Sequence, residues 1–177
     1  MPNGIRARHR RLLSGEFDRL KQAAPLTRNP LTLPAVELAI ETAMRRSELL
    51  ELRWEDVDAA ERLAHLEDTK NGQPRSVPLT DRALSILEHL PRVSDRVLPL
   101  TETALRQSWE RLVARAGIED LHFHDLRHEA ISRFFERGLT IPEVALISGY
   151  KDPRMLFRYT HLKPENVVAK LNALEAA

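Results

Sequence analysis

The sequence predicts a mainly α-helical α+β domain that carries one small antiparallel β-sheet. Three observations predict it. Apolar residues recur at helical spacing over most of the chain after Pro34. An Asn-Gly pair, Asn71-Gly72, lies between two runs of strand character and signals a tight hairpin. Prolines and glycines fall where helices begin and stop rather than inside them. At 177 residues and 42% hydrophobic, the chain is sized for one domain with its own core.

Residues 1–30 read as a basic arm or linker punctuated by Pro2, Gly4, Gly15, Pro25 and Pro30, with a short helix over 16–24. From Pro34 the apolar set Val36, Leu38, Ala39, Ile40, Ala43 and Met44 predicts a helix, and Ser47 then offers an N-cap for a second over 48–54. Residues 63–70 and 75–79 are the two arms of the hairpin. Further helices are predicted near 81–90, 101–116, 124–136, 142–148, 153–159 and 165–174. Pro142 and Pro153 suit first-turn positions, where the missing N–H costs nothing, and Gly138 suits a helix stop. No repeat or low-complexity tract interrupts the pattern. There is no apolar run long enough to span a bilayer, and no apolar stretch follows the basic N-terminus as a signal peptide requires. Without cysteine there is no disulfide or thiolate metal site, which fits a reducing cytoplasm.

Five short stretches carry chemistry: Met44-Arg45-Arg46-Ser47-Glu48, Thr69-Lys70-Asn71-Gly72, His124-Asp125-Leu126-Arg127-His128, Gly149-Tyr150 and Arg158-Tyr159-Thr160-His161. Together they supply two arginines, a lysine, a histidine and a tyrosine, the set needed to move a phosphoryl group onto a tyrosine. Attack on a phosphodiester spreads charge over the non-bridging oxygens, so catalysis is mostly positioning plus fixed positive donors. Arginine suits that task because its planar fork binds bidentately and never loses its charge. Arg45 and Arg127 are the expected pair on opposite sides of the phosphate. His124 and Arg127, three apart, share a helix face, while Leu126, Ala130, Ile131, Phe134 and Phe135 anchor that helix in the core. A lysine beside the hairpin turn, Lys70, can reach a cleft and protonate a departing 5′-hydroxyl. Tyr159 is the expected nucleophile. A phenol of ordinary pKa is only ~0.1% ionised near pH 7, so it needs a base or a cationic cradle, and His124 is the expected helper. His128 and Glu48 are read as supporting residues, and no His/carboxylate spacing suggests a metal.

This ordered set resembles the catalytic domain of the tyrosine recombinases, the phage integrase family, and within it the shufflon-type site-specific recombinases. The resemblance covers roughly residues 34–174. It implies the DNA breaking-rejoining fold and site-specific recombination of double-stranded DNA through a 3′-phosphotyrosyl intermediate, without metal or nucleotide cofactor. Arg45 matches the first catalytic arginine, Lys70 the hairpin lysine, His124 and Arg127 the His-x-x-Arg box, and Tyr159 the nucleophile within Arg-Tyr-Thr-His. Glu48 matches an acidic position that supports Arg45. Two positions depart from the pattern. Tyr150 stands where histidine or tryptophan usually donates to the scissile phosphate, and Ala43 stands where glycine is usual, which is taken to require only ordinary helical backbone.

The resemblance further implies a catalytic domain over residues 31–177, whose C-terminal helix at 165–175 docks on a neighbour in a recombination tetramer. The N-terminal core-binding domain of such proteins is expected to be absent, since residues 1–30 are too short for it, and weak DNA binding is expected in consequence. The net charge of +1 is low for a DNA-binding domain, but the N-terminus is basic while residues 37–68 are acidic, so Arg6, Arg8, Arg10 and Arg11 are expected to face DNA. A bacterial or phage protein of the cytoplasm is expected. The competing readings are a helix-turn-helix module over 140–159, a type IB topoisomerase, and a catalytically silent recombinase relative that still binds DNA.

Overall fold

The computed structural model describes residues 8, 10–67, 74–160 and 164–175. Eight α-helices and a three-stranded sheet are present among them. After α1 (Glu16–Ala23) and a short 3-10 turn, α2 (Thr32–Thr42) runs through the centre of the molecule, packed against α4 (Asp81–His89) and α6 (Asp125–Glu136). Its composition explains its place: Ala35, Val36, Leu38, Ala39 and Ile40 are all buried, so the helix is apolar nearly all round. Leu38, Met44, Leu49, Leu105, Leu112, Leu126 and Ile131 form the best-shielded part of the core. Leu20 of α1 is also fully buried, so residues from 16 onward pack into the body although the sequence groups them with the arm.

The sheet is antiparallel in the order β1 (Val57–Asp58), β2 (Leu63–Leu66), β3 (Arg75–Pro78). Leu63 pairs with Pro78 and Leu66 with Arg75. Ala64, Leu66 and Val77 turn to the core, giving the alternation of a half-buried ribbon. The hairpin tip with Lys70 and Asn71-Gly72 lies outside the described residues, as does Arg6. The strand β1 is an addition to the predicted hairpin; at two residues it is too short to leave a periodic signal.

The helices after the sheet start at real caps. The hydroxyls of Thr80 and Thr101 accept the Ala83 and Ala104 amides at 3.1 Å each, opening α4 and α5 (Glu102–Arg115). Thr140 and Glu143 form the capping pair of α7 (Ile141–Ser148), with the Thr140 amide 2.6 Å from the Glu143 carboxylate. Gly138 (φ 92°) ends α6 as expected. Residues 153–159 form a helix of the tighter 3-10 type, capped by Asp152, and α8 (Pro164–Glu175) comes next. No helix among the described residues is long and apolar enough to cross a membrane.

Candidate active site

The site is built where three chain reversals meet: the end of α2, the end of α7 and the start of α6. Helix α2 closes at Ala43, whose backbone is left-handed (φ 52°). This corrects the expectation of ordinary helical backbone there; the reversal is what carries the chain from α2 into Arg45. Arg45 itself is extended and caps α3 (Arg46–Glu51), a place the sequence assigns to Ser47. The reason is Glu48, at the third helical position, which accepts the Arg45 amide at 2.7 Å. The same carboxylate accepts the Arg45 side chain at 2.7 Å and both terminal nitrogens of Arg75 at 2.9 and 2.8 Å. Glu48 is only 1% exposed. Burial alone would push its pKa up, but the Arg75 fork and the Arg45 amide outweigh that and hold it at about 2. Glu48 therefore fixes two guanidinium groups, one of which, Arg75, the sequence analysis did not single out.

Arg127, in the first turn of α6, is buried and donates one terminal nitrogen to the Ala43 carbonyl and the other to that of Ser148 at 2.6 Å. It thus satisfies the C-termini of α2 and α7, where carbonyls lack intrahelical partners and the helix dipole favours a cation. Arg75 does the same for Ile147, 3.0 Å from its Nε. Gly149 (φ 70°) closes α7, and a Cβ there would lie 3.0 Å from the Arg75 guanidinium, so any other residue would strain the backbone and press on Arg75. Arg127 and Arg45 are drawn together through Ala43, two residues before Arg45. Burial and the Arg45 charge lower the pKa of Arg127 from its ordinary value.

Tyr150, next to Gly149, lies under the Arg127 guanidinium, 5.1 Å from ring centre to the cation. Tyr159 ends the 3-10 helix and is 6% exposed; its hydroxyl is hydrogen-bonded to His128 Nδ1, and its ring stacks on that imidazole at 5.7 Å. His124 caps α6 one turn before His128, its ring edge-on to it at 5.1 Å. The expected helper of Tyr159, His124, is thus replaced in hydrogen-bond contact by His128. Burial pushes the Tyr159 phenol up, and the neighbouring Tyr150 reinforces this. Burial, then the neighbouring imidazole, pushes His128 down to about 4, so it is neutral at physiological pH and can accept the phenol proton. Burial and the Arg127 charge lower His124 as well. Among the described residues no group of three or more histidines and carboxylates could hold a metal ion.

Of the arginines expected to face DNA, Arg8, Arg10 and Arg11 pair with carboxylates, and Arg6 lies outside the described residues. Arg8 binds both oxygens of Asp125 at 2.7 Å, Arg10 binds Glu16 at 2.7 and 2.8 Å, and Arg11 binds Glu129 at 3.0 Å and Glu136 at 2.6 Å. Each is committed to carboxylates of its own chain.

The phage integrase family profile matches residues 10–166. The chain is 46% identical over 174 residues to the shufflon-specific DNA recombinase of Escherichia coli, an alignment covering 97% of this chain and 45% of that protein. The chain therefore spans less than half the length of that relative. Among solved structures it superposes on the catalytic domain of bacteriophage HP1 integrase with a TM-score of 0.74 and 27% identity, covering 92% of this chain and 93% of the other. A lambda integrase dimer bound to a COC′ core site shares the fold at a TM-score of 0.71 and 21% identity, with coverage of 85% and 47%.

Proposed function

The chain is a member of the phage integrase family, and from that premise we propose that it carries the catalytic centre of a tyrosine-type site-specific recombinase acting on double-stranded DNA. Tyr159 attacks the phosphorus as its phenol proton passes to neutral His128, the bond from phosphorus to the 5′-oxygen breaks, and the strand is held as a 3′-phosphotyrosyl ester. The departing 5′-oxygen takes a proton, for which Lys70 is the proposed donor. Arg45 and Arg127 bind the non-bridging oxygens, and His124 and Tyr150 donate to the same phosphate. Reversal by an incoming 5′-hydroxyl rejoins DNA, with the bond energy kept in the ester so that no nucleotide is consumed. The reading carries with it a bacterial cytoplasmic setting.

One observation supports it above the others: the first turn of α6 presents His124, Arg127 and His128 together, and Arg127 and His128 respectively contact the Ala43–Arg45 turn and the Tyr159 hydroxyl. In this arrangement the phenol is buried and un-ionised, so attack requires the arginine cradle to stabilise the phenolate oxygen as its proton passes to His128. Val167, Val168 and Leu171 lie exposed on one face of α8, which supports docking of that helix on a neighbouring copy in a tetramer.

A suicide DNA substrate, nicked beside the target site so that the cleaved end diffuses away, tests the proposal. A covalent adduct on denaturing gels that vanishes in Tyr159→Phe is expected. Tyr150→His is expected to cleave as fast as the parent or faster; a clear loss would show that Tyr150 is the fitted donor here. Because Tyr150 occupies the face of Arg127, binding without any adduct would instead favour a silent, DNA-binding relative.

A further inference from the structure

Among the described residues of the arm, Arg8, Arg11 and Leu12 make contacts with carboxylates of α6. Asp125 and Glu129 are 1% and 4% exposed, too buried to remain charged without partners. Arg8 grips Asp125 bidentately and also reaches the Asp120 side chain at 2.9 Å and its carbonyl at 2.6 Å. Arg11 and the Leu12 amide, at 3.0 and 3.2 Å, meet the same oxygen of Glu129, whose other oxygen takes Arg133 at 2.7 Å. The Arg8 carbonyl in turn accepts Arg158, the residue beside Tyr159, at 3.4 Å. One short stretch of chain therefore touches both the helix bearing His124 and Arg127 and the segment bearing the nucleophile.

We infer that Arg8 and Arg11 are positioning residues of the catalytic centre, a strap that fixes the first turn of α6 and neutralises the carboxylate beside His124, and that they are not DNA contacts. The inference rests on the proposed recombinase activity for its kinetic readout. Asp125 is adjacent to His124 in sequence and opens α6. Burial would push Asp125 up, but Arg8 outweighs this and keeps it a carboxylate. With Arg8 removed, Asp125 keeps, among the described residues, only the His122 amide, at 2.8 Å, and its charge acts without a cationic partner on His124 and on an arriving phosphate. The rearrangement that relieves it moves the turn holding Arg127.

The test uses the whole chain with the suicide substrate under single-turnover conditions at saturating protein. Arg8→Gln is expected to slow cleavage on the order of 10–100-fold, as a misplaced reacting group does, while DNA affinity changes by less than about two-fold and its salt dependence stays put. Arg8→Lys restores part of the rate. Arg8→Gln combined with Asp125→Asn is faster than Arg8→Gln alone, because the unpaired carboxylate is gone. The pH–rate profile of Arg8→Gln moves its His124 limb to higher pH. An unchanged saturated rate, with weaker binding and a salt slope reduced by about one phosphate contact, would overturn the strap and make Arg8 a DNA contact.

Amide hydrogen exchange over residues 125–128 gives a readout independent of activity. Faster exchange in Arg8→Gln, or in Arg8→Lys if the first variant does not fold, supports the strap, and unchanged exchange sinks it. If the parent chain forms no adduct, the recombinase reading fails by itself, and exchange still decides on the strap.

Discussion

Replacing Glu48 by glutamine tests how the arginine cradle is held. Glu48→Gln keeps shape and some hydrogen bonding but removes the charge facing Arg45 and the partly buried Arg75. The carboxylate's pKa falls from an ordinary 4.5 to about 2 on folding. At about 1.4 kcal/mol per pH unit, that gap corresponds to about 3 kcal/mol of stability at neutral pH. The same size, ~3–5 kcal/mol, is typical when one partner of a buried ion pair is removed. The direction of the shift sets the sign. A group with a depressed folded-state pKa stabilises above its unfolded value and loses that stability as pH falls through the folded one. The difference between parent and Glu48→Gln should therefore be greatest at pH 7, and about 2 of the ~3 kcal/mol should be gone by pH 3. Urea titrations of both proteins across that range measure it, and in thermal melts at pH 7 the variant should fall by roughly 6–12 °C. A difference under about 1 kcal/mol at pH 7, or one that does not shrink on acidification, would refute the assignment of Glu48 as a charged anchor.

Gly149→Ala should cost about 1–2 kcal/mol for its left-handed backbone alone and should also slow cleavage, since the new methyl displaces the Arg75 guanidinium; melts and single-turnover rates check both. Ala43→Gly should be neutral within about 1 kcal/mol in urea titrations: relief of the positive φ is opposed by lost methyl burial and added unfolded-state entropy. His128→Phe should flatten the acid side of the stability profile, because His128, lowered from 6.5 to about 4, makes the parent lose up to about 3 kcal/mol as pH falls through that window. Ultraviolet titration of the two tyrosines should show Tyr159 ionising at higher pH than a free phenol, a feature absent from Tyr159→Phe.

Most of the fold was legible because its helices announce themselves locally. Apolar spacing, Thr140 with Glu143, and Pro142 at the first turn of α7 are signals within a few residues of one another. Cap assignment failed at Ser47 because the deciding group, Glu48, reaches back to the Arg45 amide. Ala43 was misjudged for a related reason. Its left-handed backbone is set by the turn into Arg45, which brings the Ala43 carbonyl to Arg127, and nothing in the residue type reports that. The motif residues of the candidate site that the structure describes were all legible as types in order. Arg75 was not, since its partner Glu48 is 27 residues away and no periodicity links the two. The pairing of the arm was hidden for the same reason: Arg8 and Asp125 are separated by 117 residues, so nothing near Arg8 in the sequence reports its partner.

That distinction between free and committed charge resolves the low net charge. Arg8, Arg10 and Arg11 add to the formal total but are cancelled locally by Asp125, Glu16 and Glu129. The candidate site is arranged the opposite way. Arg45 and Arg75 share one carboxylate, Glu48, while Arg127 is held by the carbonyls of Ala43 and Ser148, which orient it without neutralising it. Three guanidinium charges against one carboxylate leave +2; in the proposed reaction this meets a phosphodiester of charge −1, whose oxygens gain further negative charge during attack. Helix C-termini favour a cation by partial charges spread over peptide groups, so they fix Arg127 while leaving its field for the phosphate. A carboxylate in the place of those carbonyls would grip Arg127 more tightly and cancel the charge that the reaction needs. Overall basicity is thus a poor guide here, and what matters for function is which cations lack a carboxylate of their own.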